Sequence, residues 1–346
     1  MIKAENERPA PPAPIATINY PVPTAPELEV SAFSPMLQGT GSNRFSQIST
    51  RTSAPEIDNI TGVATVALDN WTLKLDGYAS TTGIRPSTHK LLNACVIALT
   101  SRNSYRGSGN IETFVDIPLR EYAELLGKQP SKASIDDVRK KVKEDLETLF
   151  QCRLSWKEKK GTKSEDFADV RIISSKEIRA GIIRVGFSPE LAKYLTGAYI
   201  MQFPKALFRV DERNPSTIVL GRKLAFHFGV DNNQQKGTAN IISVKSLLAE
   251  CQQTIPGHDV VINSDKRVGD RIIKPFEDAL NSLDFVTWEY ANAKGVPLTD
   301  AQLENPAYTA FIKWFVKFEI KDFPDQTTRL EARADESKPK PPKKSG

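Results

Sequence analysis

Between two stretches with no periodic pattern, the apolar positions of this chain follow helical and strand rhythms in a fixed order. Leu91, Leu92, Cys95, Val96 and Leu99 draw one helical face behind the start signal at Pro86. Phe114-Val115-Asp116-Ile117 predicts a short strand. Leu119 to Leu126 predicts a second helix, stopped by Gly127 in the position where a left-handed residue ends a helix. Ser134, with Asp137 three residues later, predicts a capping box that opens a third helix. Its Val138, Val142, Leu146, Leu149 and Phe150 fall at i, i+4, i+8, i+11 and i+12. Leu154 and Trp156 alternate in a strand, Lys157 to Ser164 makes a polar turn, and Ala168, Val170 and Ile172 alternate back. Helix, strand, helix, turn, helix and hairpin is the order of a winged helix-turn-helix.

The order recurs about 126 residues further on. Ile218, Leu220, Leu224 and Phe228 mark a first helix, and Asn240 to Leu248 repeats the rhythm of Val115 to Ala123. The next helix carries Val268, Ile272, Phe276, Leu280 and Leu283 on one side. A hairpin follows from Phe285 to Tyr290 and from Ile312 to Ile320, where Ile312, Trp314, Val316, Phe318 and Ile320 alternate. Leu146, Leu149 and Trp156 match Leu280, Leu283 and Trp288 in both halves. The fold class predicted is α+β, with two tandem winged helix-turn-helix domains at 70–208 and 209–323. A disordered Pro-rich head at 1–60 and a disordered Lys/Pro-rich tail at 327–346 are expected, since nine prolines before residue 56 deny the backbone a hydrogen-bond ladder.

Composition narrows the chemistry. With 39% hydrophobic and 26% charged residues in 346, the chain suits a globular protein of about two domains. Its longest apolar run, Leu91 to Leu99, falls short of the ~18 residues a membrane span needs. Three widely spaced cysteines, Cys95, Cys152 and Cys251, point to a reducing cytoplasm, and no signal segment is visible at the start. His89, His227 and His258 stand apart, and no metal, nucleotide-binding or nucleophile motif is present. No catalytic residue, metal or cofactor is expected, and a nicking enzyme is disfavoured for want of ligands.

The net charge of +5 is modest, yet it is unevenly spread. At 100° per residue, Arg267, Arg271 and Lys274 fall within about 60° of one another, opposite the apolar stripe. Arginine there suits bidentate contact with guanine and lysine suits phosphate, although a solvated face would look the same. Pro275 interrupts this helix and is expected to bend it or to begin its second segment. In the first half, Lys140 and Lys143 point outward beside Glu144 and Glu147, which would repel phosphate. Lys157, Lys159, Lys160 and Lys163 crowd the polar turn, the place of a wing that grips backbone. The second domain is therefore the expected reader of sequence, and the first is expected to supply wing contacts, dimerisation, or both.

The stretch from Lys266 through Arg267, Arg271, Lys274 and Pro275 to Asn281, with Leu283, Phe285, Trp288 and Tyr290 behind it, resembles the second winged helix of iteron-binding plasmid replication initiators. Leu119 to Gly127 and Gly186 to Leu195 resemble their first. The resemblance covers roughly 70–322. Gly269 and Asp270 in the recognition helix, a long second wing from Ala291 to Ala310, and the Pro-rich head depart from the family pattern. What the resemblance implies is a non-enzymatic initiator that binds direct repeats in double-stranded origin DNA. It would help open an A·T-rich segment, recruit the host initiator and replicative helicase, and repress its own promoter as a homodimer. A plasmid or phage transcriptional repressor and a winged-helix interaction scaffold are the other readings.

Overall fold

The computed structural model describes residues 36–39, 56–68, 71–77, 84–104, 111–129, 131–160, 163–166, 170–195, 200–251, 255, 258–264, 267–304 and 306–321. The tail expected at 327–346 lies outside them, as does most of the head. Among the described residues four strands come first: β1 (Met36–Gly39), β2 (Glu56–Ile57), β3 (Ala64–Leu68) and β4 (Trp71–Leu75). Helix α1 (Pro86–Ser104), strand β5 (Phe114–Pro118), and helices α2 (Leu119–Leu125) and α3 (Lys132–Gln151) follow. Next come β6 (Cys152–Lys160), β7 (Lys163–Asp166), β8 (Val170–Arg171), β9 (Ile173–Arg179) and β10 (Ile182–Phe187). Helix α4 (Pro189–Leu195) and strand β11 (Ile200–Phe203) complete the first half.

Local chemistry accounts for the helix-turn-helix. Every residue from Thr88 to Ile97 in α1 is buried, as befits a helix wrapped on all sides. Gly127, at φ +75°, ends α2 as its sequence position predicts. The Gly127 N–H donates to Glu124 O and the Lys128 N–H to Ala123 O, so two orphan carbonyls are satisfied at once. Helix α3 begins three residues earlier than the sequence suggests. Ser131, not Ser134, is its N-cap, and Ser134 is the reciprocal partner of the capping box. The predicted stripe is buried at Val138, Val142, Leu146 and Leu149.

The wing of this domain is not where the sequence places it. Strands β5, β10 and β9 form a three-stranded antiparallel sheet in that order, with Val115 opposite Val185 and Ile117 opposite Ile183. The hairpin β9–β10 is therefore the wing. Ala180 (φ +49°) and Gly181 (φ +78°) turn it with two left-handed residues, which match the twist of the flanking strands. Strand β6 belongs to a different, six-stranded sheet ordered β2-β3-β4-β6-β7, with β8 beside β6. Cys152 to Trp156 pair with β4, whereas Lys157 to Lys160 pair only with β7. The lysine-rich stretch is thus a two-stranded arm off this second sheet, extended where a polar turn was expected.

The head is also corrected in part. Met36–Gly39 pairs antiparallel with Ile200–Phe203, and Glu56–Ile57 pairs with Thr65 and Ala64. Both segments fall inside the 1–60 stretch expected to be disordered. The β3–β4 hairpin likewise begins ahead of the predicted boundary at residue 70.

After a 3-10 turn (Lys205–Phe208) that closes the first half, the second opens with α5 (Pro215–Phe228), α6 (Asp231–Gln235), β12 (Ile241–Ser243) and α7 (Val244–Cys251). Helix α8 (His258–Ser264), a π-helical turn (Gly269–Ile273) and α9 (Lys274–Asn281) come next. Strand β13 (Val286–Ala291), the short helices α10 (Asp300–Leu303) and α11 (Tyr308–Phe311), and β14 (Phe315–Ile320) finish it. The last strand is shorter than its alternation suggests, because Ile312 caps α11 and Trp314 precedes the strand.

Geometry, more than sequence, establishes the duplication. Strand order β12-β14-β13 repeats β5-β10-β9. The register repeats as well: Ile242 faces Val316 as Ile117 faces Ile183, and Ser243 faces Phe315 as Pro118 faces Ile182. The first residue of α2, Leu119, donates its N–H to Gly181 O at 2.7 Å, just before β10. The first residue of α7, Val244, donates to Trp314 O at 2.9 Å, just before β14. Val138, Val142, Leu146 and Leu149 recur as Ile272, Phe276, Leu280 and Leu283 at the same spacing, all buried. The Trp156–Trp288 correspondence does not survive. Trp156 lies on β6 of the six-stranded sheet, while Trp288 lies on the wing strand β13.

Candidate nucleic-acid interface

In the second domain the recognition helix is assembled from two unlike pieces. Pro275 has no N–H and cannot sit deep in an α-helix. The chain answers by placing it at the second position of α9, directly behind a turn that departs from the α-helical bond pattern. Ahead of it runs the π turn, closed by the Lys274 N–H donating to Gly269 O. Arg267, at φ +58°, starts the turn in a left-handed conformation that a long side chain rarely adopts. Its carbonyl accepts the Arg271 N–H at 2.9 Å.

This arrangement changes how the predicted cations are presented without hiding them. Arg267 precedes the π turn, Arg271 lies within it and Lys274 opens α9, so a uniform 100° per residue no longer relates them. All three are exposed, while Val268, Ile272, Ile273 and Phe276 are buried. Arg267 and Arg271 have no ion pair among the described residues. Lys274 reaches Asp278 at 3.3 Å, a solvent-exposed pair of little energetic weight. Lys266 lies outside the described residues. Behind the helix stands an aromatic cluster. Phe276 meets Phe311 edge-on at 5.8 Å, and Phe311, Tyr290 and Trp314 interlock at 5.1–6.0 Å, tying helix to wing.

The first domain's recognition helix is less acidic than its sequence implies. Lys140 and Lys143 are exposed on α3, with no ion pair among the described residues. The two glutamates beside them are already matched. Glu144 accepts from Arg85 at 3.2 Å, and Glu147 pairs with Lys176, whose hydrogen bond holds the Glu147 carboxyl below its usual range. Both act from neighbouring elements that helix periodicity does not reveal. Asp145 is buried one residue beyond Glu144. Its Oδ1 accepts from Arg85, Ser87 and Thr88 at 3.1, 2.9 and 2.6 Å, locking the start of α1 onto α3. Burial raises the Asp145 pKa, against the lowering effect of those donors.

Lys157, Lys159, Lys160 and Lys163 fall on the β6–β7 arm. Register sets Lys157 opposite Asp166, Lys159 opposite Ser164, Glu158 opposite Glu165, and Lys160 opposite Lys163. Three acids thus share the arm with four lysines, so it is less basic than the run of lysines suggests. A residue that the sequence reading missed occupies the true wing. Arg179 is exposed at the β9–β10 turn and has no ion pair among the described residues. The signal for it was the alternation of Ile183, Val185 and Phe187 just after Gly181.

The remaining reactive side chains serve the core. The His227 Nε2 lies 2.9 Å from Ile241 O and 3.1 Å from Thr238 O, while its Nδ1 lies 3.2 Å from Asn233 Nδ2. Donation from Nε2 and acceptance at Nδ1 satisfy all three contacts. Cys95, Cys152 and Cys251 are buried, and burial pushes the Cys95 and Cys251 thiols up to about 12. Among the described residues, no group of three or more His, Cys, Asp or Glu side chains is placed to hold a metal ion. No described helix is long and apolar enough to cross a membrane.

Residues 66–208 match the family described as initiator replication protein, WH1. The first domain is an initiator replication WH1 domain. The match covers less than half of the chain, so the likeness to replication initiators is stated for this domain. The matched span begins within β3 and ends with the 3-10 turn, so the WH1 domain takes in most of the β3–β4 hairpin and the arm as well as the winged helix. The chain matches no curated protein sequence significantly. Among solved structures, a crystal form of domains 2 and 3 of RctB is similar at 10% identity, with a TM-score of 0.41 over 81% of this chain and 99% of that one. A second RctB structure of the same domains gives 9% identity and a TM-score of 0.35 over 80% and 96%. Likenesses so distant add nothing to the strand order and registers given above.

Proposed function

We propose that this chain is a plasmid replication initiator that binds repeated sites in origin DNA through its two winged-helix domains. The second domain reads bases with Arg267 and Arg271, and Lys274 and Lys266 hold phosphate. The WH1 domain grips the backbone with Lys140 and Lys143 and with the lysines of the arm. It acts without a catalytic site of its own, assists opening of the origin, recruits host initiator and helicase, and as a dimer represses its own promoter.

The observation that supports this most is the repetition of one winged helix in one chain, register for register, with the first copy an initiator domain. Two readers on one tether raise each other's effective concentration on adjacent grooves. The copies are not equivalent, however. Asp137 precedes buried Val138 as Arg271 precedes buried Ile272, so the first helix offers an acid where the second offers a base-reading arginine. The test is to incubate the full chain with sheared DNA of its source replicon at about 0.15 M salt and sequence what is retained. Several direct repeats beside an A·T-rich segment are expected. A single inverted repeat at a promoter would make it a repressor, and no enrichment would leave it without a DNA role.

A further inference from the structure

A glycine inside a helix is a cost, since it adds backbone freedom to the unfolded chain and packs nothing. Folds keep one where φ is positive or where a Cβ would strike a neighbour. Gly127 illustrates the first reason, and Gly221 the second, because a Cβ there would lie 2.6 Å from Leu207 and 2.8 Å from Leu283. Neither reason applies at Gly269. Its φ is not positive, and an added Cβ would meet nothing within 4 Å. Nothing inside the described fold asks for glycine at this position.

The surroundings say what outside the fold does. Gly269 is exposed and opens the π turn, between Arg267 and Arg271, which are exposed and without ion pairs among the described residues. The open space beside it therefore lies next to the two unpaired arginines. Missing side-chain volume between cations suits an anionic surface brought into van der Waals contact with the backbone. We infer that Gly269 is a positioning residue, the point at which the second domain's recognition helix comes closest to duplex DNA. This rests on the reading that this helix enters a groove. A side chain at 269 would act as a spacer, lifting Arg267 and Arg271 off the bases they contact.

The test uses the full chain as wild type, Gly269→Ala, Gly269→Leu and Arg271→Ala. Binding is measured to the duplex that the wild type selects from a randomised pool and to a mixed-sequence duplex, beside the thermal midpoint of each variant. Gly269→Ala should melt at or above the wild type, since alanine favours a helix and meets no neighbour. It should nonetheless bind the selected duplex about tenfold or more weakly, and Gly269→Leu more weakly still. If Gly269→Ala binds within about twofold of wild type while Arg271→Ala loses selectivity, the inference fails and the groove reading stands. If every variant binds as the wild type does, or the wild type selects no duplex, both fail together. A midpoint for Gly269→Ala below the wild type would also overturn the inference, by showing that the fold itself needs the glycine.

Discussion

Arg271 and Lys143 are both exposed cations on recognition helices, yet the proposed interface gives them different work. Arg271 is offered from a π turn, a departure from helical geometry that recurs at functional sites, and it has no ion pair among the described residues. Arg271→Ala should cost about 1–3 kcal/mol of binding to the selected site and broaden base preference there. A titration that shows equal loss on selected and random duplexes would remove its reading role. Lys143 shares its helix with Glu144 and Glu147, whose charges Arg85 and Lys176 already offset. Lys143→Ala should weaken all sequences alike and reduce the slope of log affinity against log salt by about 1. A slope equal to the wild type's would take Lys143 off the DNA. The outward position of both residues was legible in the sequence. The offsetting cations were not, because Arg85 and Lys176 come from elements distant in sequence.

At the scale of elements, hydrophobic period located the main helices of both winged helices and fewer than half of the strands, and it did not give the strands' partners. The stripe Val138, Val142, Leu146 and Leu149 is buried as its spacing requires, and so is its repeat. Alternation at Leu154 and Trp156 showed a strand, yet it could not say which sheet would take it, since pairing is set by contacts far apart in sequence. That is why the lysine arm passed for the wing. The hairpin of β3 and β4 carried a readable signal, alternating residues on either side of Asp69-Asn70. Equivalence of the two stripes has a measurable consequence. Leu149→Ala and Leu283→Ala, both truncations of buried leucines at the end of a recognition helix, should each cost about 2–5 kcal/mol in urea unfolding. A loss under about 1 kcal/mol at either site would mean that its helix is not seated as described.

At the scale of the whole molecule, the link between domains is held to the first of them. Lys90 on α1 is almost fully buried, donates to Val210 O at 2.6 Å and approaches Glu212 at 3.6 Å. Glu212 also takes Lys141 of α3 at 3.4 Å. Desolvation lowers the Lys90 pKa, and Glu212 opposes the shift. The segment leading to α5 is therefore anchored to the WH1 domain's own helices, and the proposed function has both domains address one duplex. Hydroxyl-radical footprinting on a single selected repeat tests that claim most directly. Wild type should protect two groove segments about one helical turn, ~10 base pairs, apart. Lys140→Ala with Lys143→Ala should erase one of them and Arg271→Ala should weaken the other. One protected segment, lost in full with Arg271→Ala and untouched by the lysine changes, would contradict the account.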